Sequence, residues 1–168
     1  MNHSTRLFLF ALLPFAANLP LRSDELEVRQ DGKAHTIAVF RKGAKEAILT
    51  QVAKPDFRPY LHPIVAPDGK GLLTEYSPGH HKHQTGLYWG FTRVNGRDYF
   101  HHPGGDYWRR VSAKVLKKDG PSVKWQTMYE MLDAKGEAQL VESQVWSMEV
   151  GRSVGRSVGR SAGRSAGR

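Results

Sequence analysis

The chain has 168 residues, a formal charge of +9 and no cysteine. This length allows one domain with a modest core, and the absence of thiols excludes a disulfide framework, a thiolate zinc site and a cysteine nucleophile. Most of the positive charge lies at the two ends, because basic residues exceed acidic ones by only two within residues 24–150. We therefore predict no specific nucleic-acid partner for the central part of the chain.

Residues 1–23 have the organisation of a secretory signal peptide. A short basic start precedes the apolar run LFLFALLPFAA, and small residues suited to cleavage follow. The run is shorter than the roughly 20 residues that span a bilayer. The alternative is a buried strand or helix at the start of a domain. We expect an exported protein, periplasmic or extracellular, with no transmembrane segment.

Residues 24–150 predict an all-β domain. Two short strands around Val28 and Val39 flank the hairpin signal Asp31-Gly32. Further strands are predicted, in chain order, at residues 47–52, 86–94, 97–100, 111–116, 123–131 and 138–148. The turn Asn95-Gly96 supplies the positive φ angles that join two of them. Helical tendency is confined to residues 24–30 and 129–132, so we predict an antiparallel β-sandwich.

The later strands alternate apolar and polar residues, which is typical of strands with one buried and one solvated face. One such set is Val111, Ala113 and Val115, and another contains Val123 and Trp125. We expect each set to face the core.

Residues 151–168 repeat GRSV twice and then GRSA twice. The segment has no apolar periodicity and too little apolar surface to offset its backbone entropy, so we predict a disordered low-complexity tail. It is either the product of a repeat expansion or frame shift, which we favour, or an arginine-rich arm for anionic surfaces.

Six of the eight histidines and many aromatic residues lie between Arg58 and Trp108. Aromatic rings stack on the apolar face of a sugar while polar side chains bind its hydroxyl groups, and a neutral imidazole can act as a general acid or base. We predict acid–base roles for His81 and His83. The predicted ligand-binding residues are Arg58, Tyr60, His62, Gln84, Tyr88, Trp89, His101 and Trp108. The acids near enough in sequence to orient a histidine are Glu75, Asp98 and Asp106.

Two other interpretations of this region remain open. On a strand, His81 and His83 would point to the same face and, with His62 or His101, could form a three-nitrogen metal site. With His62 as the third ligand, we consider a metal-dependent oxidoreductase that binds copper, iron or zinc. The sugar hypothesis itself needs no cofactor. Alternatively, the aromatic residues belong to the core and the histidines are solvated. No phosphate-binding glycine loop or nucleophile elbow is present.

Spaced motifs in this region resemble a known family. They are RPYLHP from Arg58, DG at Asp68, SPG at Ser77, HxHxxGLYWG from His81 and VNGxDYF from Val94. In this order they resemble the bacterial exported DUF6807 proteins, which often carry the label "methane oxygenase PmoA".

The resemblance implies a sandwich similar to that of galactose mutarotase, with sugar binding and histidines as acid or base, whereas the label implies an oxidoreductase. The chain has Gln84 where the family usually has a further histidine. The family pattern stops near Met148, so we expect a C-terminally truncated member. An inactive fragment is then a third hypothesis.

Overall fold

The computed structural model describes residues 25–151. The predicted signal peptide (1–23) and all but the first residue of the predicted tail (151–168) lie outside this part. Within it there are eight strands and no helix, which confirms the all-β prediction. The strands are β1 (Leu26–Asp31), β2 (Thr36–Arg41), β3 (Ala47–Val52), β4 (Tyr60–Ile64), β5 (Trp108–Lys117), β6 (Asp119–Gly120), β7 (Ser122–Leu132) and β8 (Ala138–Glu149). Residues 25–151 therefore contain no helical segment that could cross a bilayer.

The strands form two antiparallel sheets that pack as a sandwich. The order is β4-β3-β2-β1-β6 in one sheet and β5-β7-β8 in the other. The predicted hairpin after Asp31 joins β1 to β2, and its loop spans residues 32–35. Asp31 Oδ1 accepts the backbone N–H groups of Lys33 (2.8 Å) and Ala34 (3.0 Å), so its carboxylate closes this loop.

The core lies between the inward faces of the two sheets. The first sheet contributes Leu26, Val28, Ile37, Val39 and Leu61, and β7 contributes Val123 and Trp125. Every second residue of β7 from Val123 to Met131 is buried, as the alternation predicts. A second buried cluster contains Tyr99, Trp108, Tyr129 and Met131.

The structure corrects the predicted buried face of β5. Ala113 and Val115 pack against the core as predicted, but Val111 is 52% exposed. The pairing of β5 with β7 shifts register between Arg110 and Ser112, which places an extra residue at Val111. Such a bulge changes the phase of the alternation, and sequence periodicity alone does not reveal it.

Residues 65–107, between β4 and β5, contain isolated bridges but no strand, so the predicted strands at 86–94 and 97–100 are wrong. Gly86 has φ +108°, which takes the backbone out of the extended conformation beside the single bridge between Leu87 and Leu61. The Asn95-Gly96 turn is correct, with φ values of 49° and 81°. Residues 60–64, which we did not predict as a strand, form β4.

Candidate functional site

Arg58 holds the loop region together from inside. It lies just before β4 and is fully buried. Its Nη1 donates to the Phe100 carbonyl oxygen and its Nη2 to the His83 carbonyl oxygen, while Cζ lies 3.4 Å from the centroid of the Tyr88 ring. Burial lowers the pKa of Arg58 to about 10, so the group stays charged at neutral pH. Arg58 therefore fixes the backbone on which His83 and His101 are carried.

Four imidazole rings form a row on the loop surface, which we call the histidine row. Neighbouring ring centroids are 4.0 Å apart for His80 and His81, 6.0 Å for His81 and His83, and 4.7 Å for His83 and His101. His81 and His83 lie in a turn and not on a strand. Their proximity therefore arises from loop geometry and not from the strand spacing that we expected. The row brings both predicted acid–base residues together with His101.

Asp98 orients one end of the histidine row. Its Oδ2 lies 2.7 Å from His101 Nδ1, and its Oδ1 accepts the backbone N–H groups of Phe100 (3.0 Å) and His101 (3.1 Å). Burial raises the pKa of Asp98, but these hydrogen bonds outweigh burial and hold it below its usual value. The carboxylate thus fixes the His101 ring through Nδ1 and leaves Nε2 for another partner. For His83, burial and then the neighbouring imidazoles of His101 and His81 lower the pKa, which favours the neutral, proton-accepting form.

An open cavity of about 440 Å³ lies among the same loops, and we call it the loop cavity. Its lining residues are Leu73, Thr74, Glu75, Pro78, Gln84, Gly86, Leu87 and Tyr88. Two predicted ligand-binding residues, Gln84 and Tyr88, are therefore part of its wall. His62 lies just behind it, with Nδ1 3.0 Å from Thr74 Oγ1, and that oxygen also accepts the Ile64 N–H.

Three other predicted ligand-binding residues have different surroundings. Tyr60 is buried against Phe57 and Tyr76, and burial raises its pKa to about 12. Trp89 is 54% exposed and offers an open ring. Trp108 is fully buried and its Nε1 donates to the His102 carbonyl oxygen (3.1 Å), so its ring belongs to the core and has no free face for a ligand.

Comparison with known families agrees with the motifs of this region. The model of DUF6807, described as a family of unknown function, matches residues 25–159. The chain belongs to the DUF6807 family. No curated protein and no solved structure matches the chain. The likeness to a galactose-mutarotase sandwich therefore stays a prediction.

The DUF6807 chain does not assemble the three-histidine metal site of our alternative hypothesis. His62 bonds Thr74 and lies beside Tyr76, whereas His81 and His83 belong to the histidine row. Within residues 25–151 no three His, Asp or Glu side chains are grouped so that they could hold a metal ion.

Sequence reasoning missed one carboxyl group of this DUF6807 chain. Glu142 lies on β8, and both of its carboxylate oxygens are buried. Burial raises its pKa to about 7, against smaller lowering effects of Gln144 and Arg58. A signal was present, because Glu142 shares the alternation phase of Gln144 and Trp146, which turn toward the core. Proximity to the histidines in sequence does not single out Glu142, because β8 is far from them along the chain.

Proposed function

We propose that this DUF6807 protein is an exported carbohydrate-related protein that binds a saccharide through its histidine and aromatic cluster. The observation that carries the proposal is the loop cavity, whose wall combines hydrogen-bonding groups (Thr74, Glu75 and Gln84) with the ring of Tyr88. Its volume of about 440 Å³ falls within the range of small-molecule sites. A sugar-binding site needs this combination, because the hydroxyl groups of a sugar require hydrogen-bonding partners while its C–H faces pack on aromatic rings.

The histidine row supplies groups for proton transfer beside this cavity. His83 is adjacent to Gln84 in the chain, and the Phe100 ring links Tyr88 (5.6 Å) to His83 (5.4 Å). We propose that His81 and His83 exchange protons with a bound sugar and that the His101–Asp98 pair supports them. Imidazoles suit this role because they gain and lose protons near neutral pH.

Isothermal titration of the full chain with a panel of neutral mono- and oligosaccharides tests binding. We expect Gln84→Ala and Trp89→Ala each to weaken binding about tenfold, the effect of losing one hydrogen bond or one stacking contact. Leu116→Ala is the matched control, because Leu116 is an exposed apolar residue on β5. The proposal is refuted if no sugar in the panel gives heat, or if both site variants bind as tightly as the wild type.

A second measurement separates a binder from an enzyme. Freshly dissolved α-D-glucose or α-D-galactose is followed by proton NMR with and without protein. Acid–base chemistry predicts faster interconversion of the anomers, which is lost in His83→Ala. An unchanged rate with a sugar that binds would remove the catalytic part of the proposal and leave the binding part.

A further inference from the structure

Strand β8 forms one edge of its sheet. It pairs with β7 along one side, and within residues 25–151 no strand pairs with its other side. At the opposite edge of the same sheet, β5 is partly covered by other parts of the chain. The Arg110 N–H donates to the Pro55 carbonyl oxygen at 2.8 Å. Gln30 Nε2 donates to the Ala113 carbonyl oxygen at 3.1 Å. Of the two edges, β8 is therefore the one that presents a long row of backbone groups for pairing.

The side chains of β8 also favour pairing. Residues 138–148 contain no proline and no lysine, and Glu142 is their single charged residue. Edge strands of native proteins usually carry prolines or charges, which block association with another strand. On the outer face Val141 is 60% exposed and Val145 51%, and on the inner face Leu140 is 39% exposed. A strand beside β8 would cover part of this apolar surface.

The sequence around Ser143 is complementary to itself. Outward from this residue, LVESQVW has an acid on one side and an amide on the other, then valine on both sides, then a large apolar residue on both sides. Opposite side chains of antiparallel strands lie on the same face, and the faces alternate with each residue. A strand paired with its own copy therefore has one residue on the two-fold axis. With Ser143 on the axis, the opposed residues are Val141 with Val145, Leu140 with Trp146, and Glu142 with Gln144.

The neighbouring registers match less well. With Glu142 on the axis, its carboxylate would face that of the second copy, and like charges directly opposite each other destabilise a sheet. With Gln144 on the axis, Trp146 would lie opposite Glu142 and Val145 opposite Ser143, so the apolar residues would lose their apolar partners. The self-complementary pattern thus selects one register.

We propose that a second copy of this chain binds at the β8 edge with Ser143 on a two-fold axis, which joins the two three-stranded sheets into one continuous sheet. A contact of this kind uses the same surface of both copies and closes on itself, so association stops at the dimer. Apolar side chains then face apolar ones, and the Glu142 carboxylate faces an amide donor. The dimer is independent of saccharide binding, because no residue that lines the loop cavity lies on β8.

Sedimentation equilibrium of the full chain tests the dimer. We expect a monomer–dimer equilibrium at concentrations up to about 100 μM, a range in which weak specific association becomes visible. Val141→Lys combined with Val145→Lys places ammonium groups opposite each other and should lower the association constant at least about tenfold. The matched control is Val111→Lys combined with Leu116→Lys, the same change at two exposed apolar residues of β5, which should leave the association constant unchanged.

Engineered cysteines test the register, because the chain has no cysteine of its own. Opposite Cα atoms of an antiparallel pair are about 4.5–5.5 Å apart, a distance that a disulfide can bridge. Ser143→Cys, at an exposed position, should therefore form a disulfide-linked dimer on mild oxidation. Val141→Cys alone should not, since the same position of the second copy lies about 13 Å away along the strand, but it should cross-link when mixed with Val145→Cys.

Three results would overturn the proposal. They are a wild-type chain that stays monomeric over the whole concentration range, an association that the β8 lysine variant leaves unchanged, and a disulfide that forms as readily in Val141→Cys as in Ser143→Cys. The first would mean that no second copy covers the edge, and the other two would place the contact elsewhere. If circular dichroism shows that the lysine variant does not fold, the wild-type sedimentation and the cysteine variants still decide.

Discussion

Replacing Glu142 by Gln should make the protein more stable at alkaline pH. The carboxyl group has an ordinary pKa of 4.5 and one of about 7 in the folded chain, because burial disfavours its charged form. A raised folded-state pKa stabilises the fold fully below about pH 4.5, and this contribution is lost as the pH rises through about 7. Glutamine has nearly the same shape and no charge, so the variant escapes that loss.

The magnitude follows from the shift. One pKa unit corresponds to about 1.4 kcal/mol, so the full change from 4.5 to about 7 sets an upper limit of about 3.5 kcal/mol. Glu142 is incompletely buried, and relaxation with water entry screens the charge, so we expect about 1–2 kcal/mol at pH 8 and above. The ionised carboxylate of Glu142 therefore destabilises the fold.

Urea unfolding followed by tryptophan fluorescence, at several values from about pH 5 to about pH 8.5, measures the effect. The quantity of interest is the difference in unfolding free energy between variant and wild type, since the other titrating groups are common to both. It should grow in favour of Glu142→Gln across this range, while Glu149→Gln should give a flat difference. A flat profile for Glu142→Gln, or a variant that becomes relatively weaker with rising pH, would refute our account of the buried carboxyl group.

Three further changes test other parts of the structure. Gly86→Ala should destabilise the fold by at least about 2 kcal/mol in urea unfolding, because φ is +108° and the new Cβ would collide with the Leu61 carbonyl oxygen. Trp108→Ala should cost about 3–5 kcal/mol in the same assay, since the side chain is fully buried. Asp98→Asn should lower the thermal midpoint, because His101 loses its anionic partner. This difference in thermal midpoint should shrink as the pH falls below about 3.8, since Asp98 has a lowered pKa and its contribution to stability is lost on protonation.

Each of these predictions has a matched comparison. Gly104→Ala meets open space at an ordinary backbone angle and should be nearly neutral. Trp89→Ala removes an exposed indole and should leave stability almost unchanged, in contrast to Trp108→Ala. Equal losses within either pair would contradict the burial and backbone geometry from which the predictions are derived. A deficit of Asp98→Asn that stays constant to low pH would show that its carboxylate charge is not the cause.

The sequence by itself determined the local features of this protein. Alternation in residues 123–131 predicted β7 and its buried face, because neighbouring side chains of any strand point to opposite sides. The Asn95-Gly96 pair predicted a turn with positive φ angles, because few other residue pairs adopt such angles at low cost. The spaced motifs from Arg58 to Phe100 were also sufficient to recognise the family. These features depend on residue type and short spacing alone.

Only the tertiary structure decided how those parts combine. The bulge at Val111 arises from the register of two strands, and the burial of Trp108 from packing against Tyr99 and Tyr129. Glu142 has a raised pKa because the packed sheets bury both of its carboxylate oxygens. Desolvation and charge pairing depend on distances between residues remote in the chain, and such distances exist only once the sheets have packed.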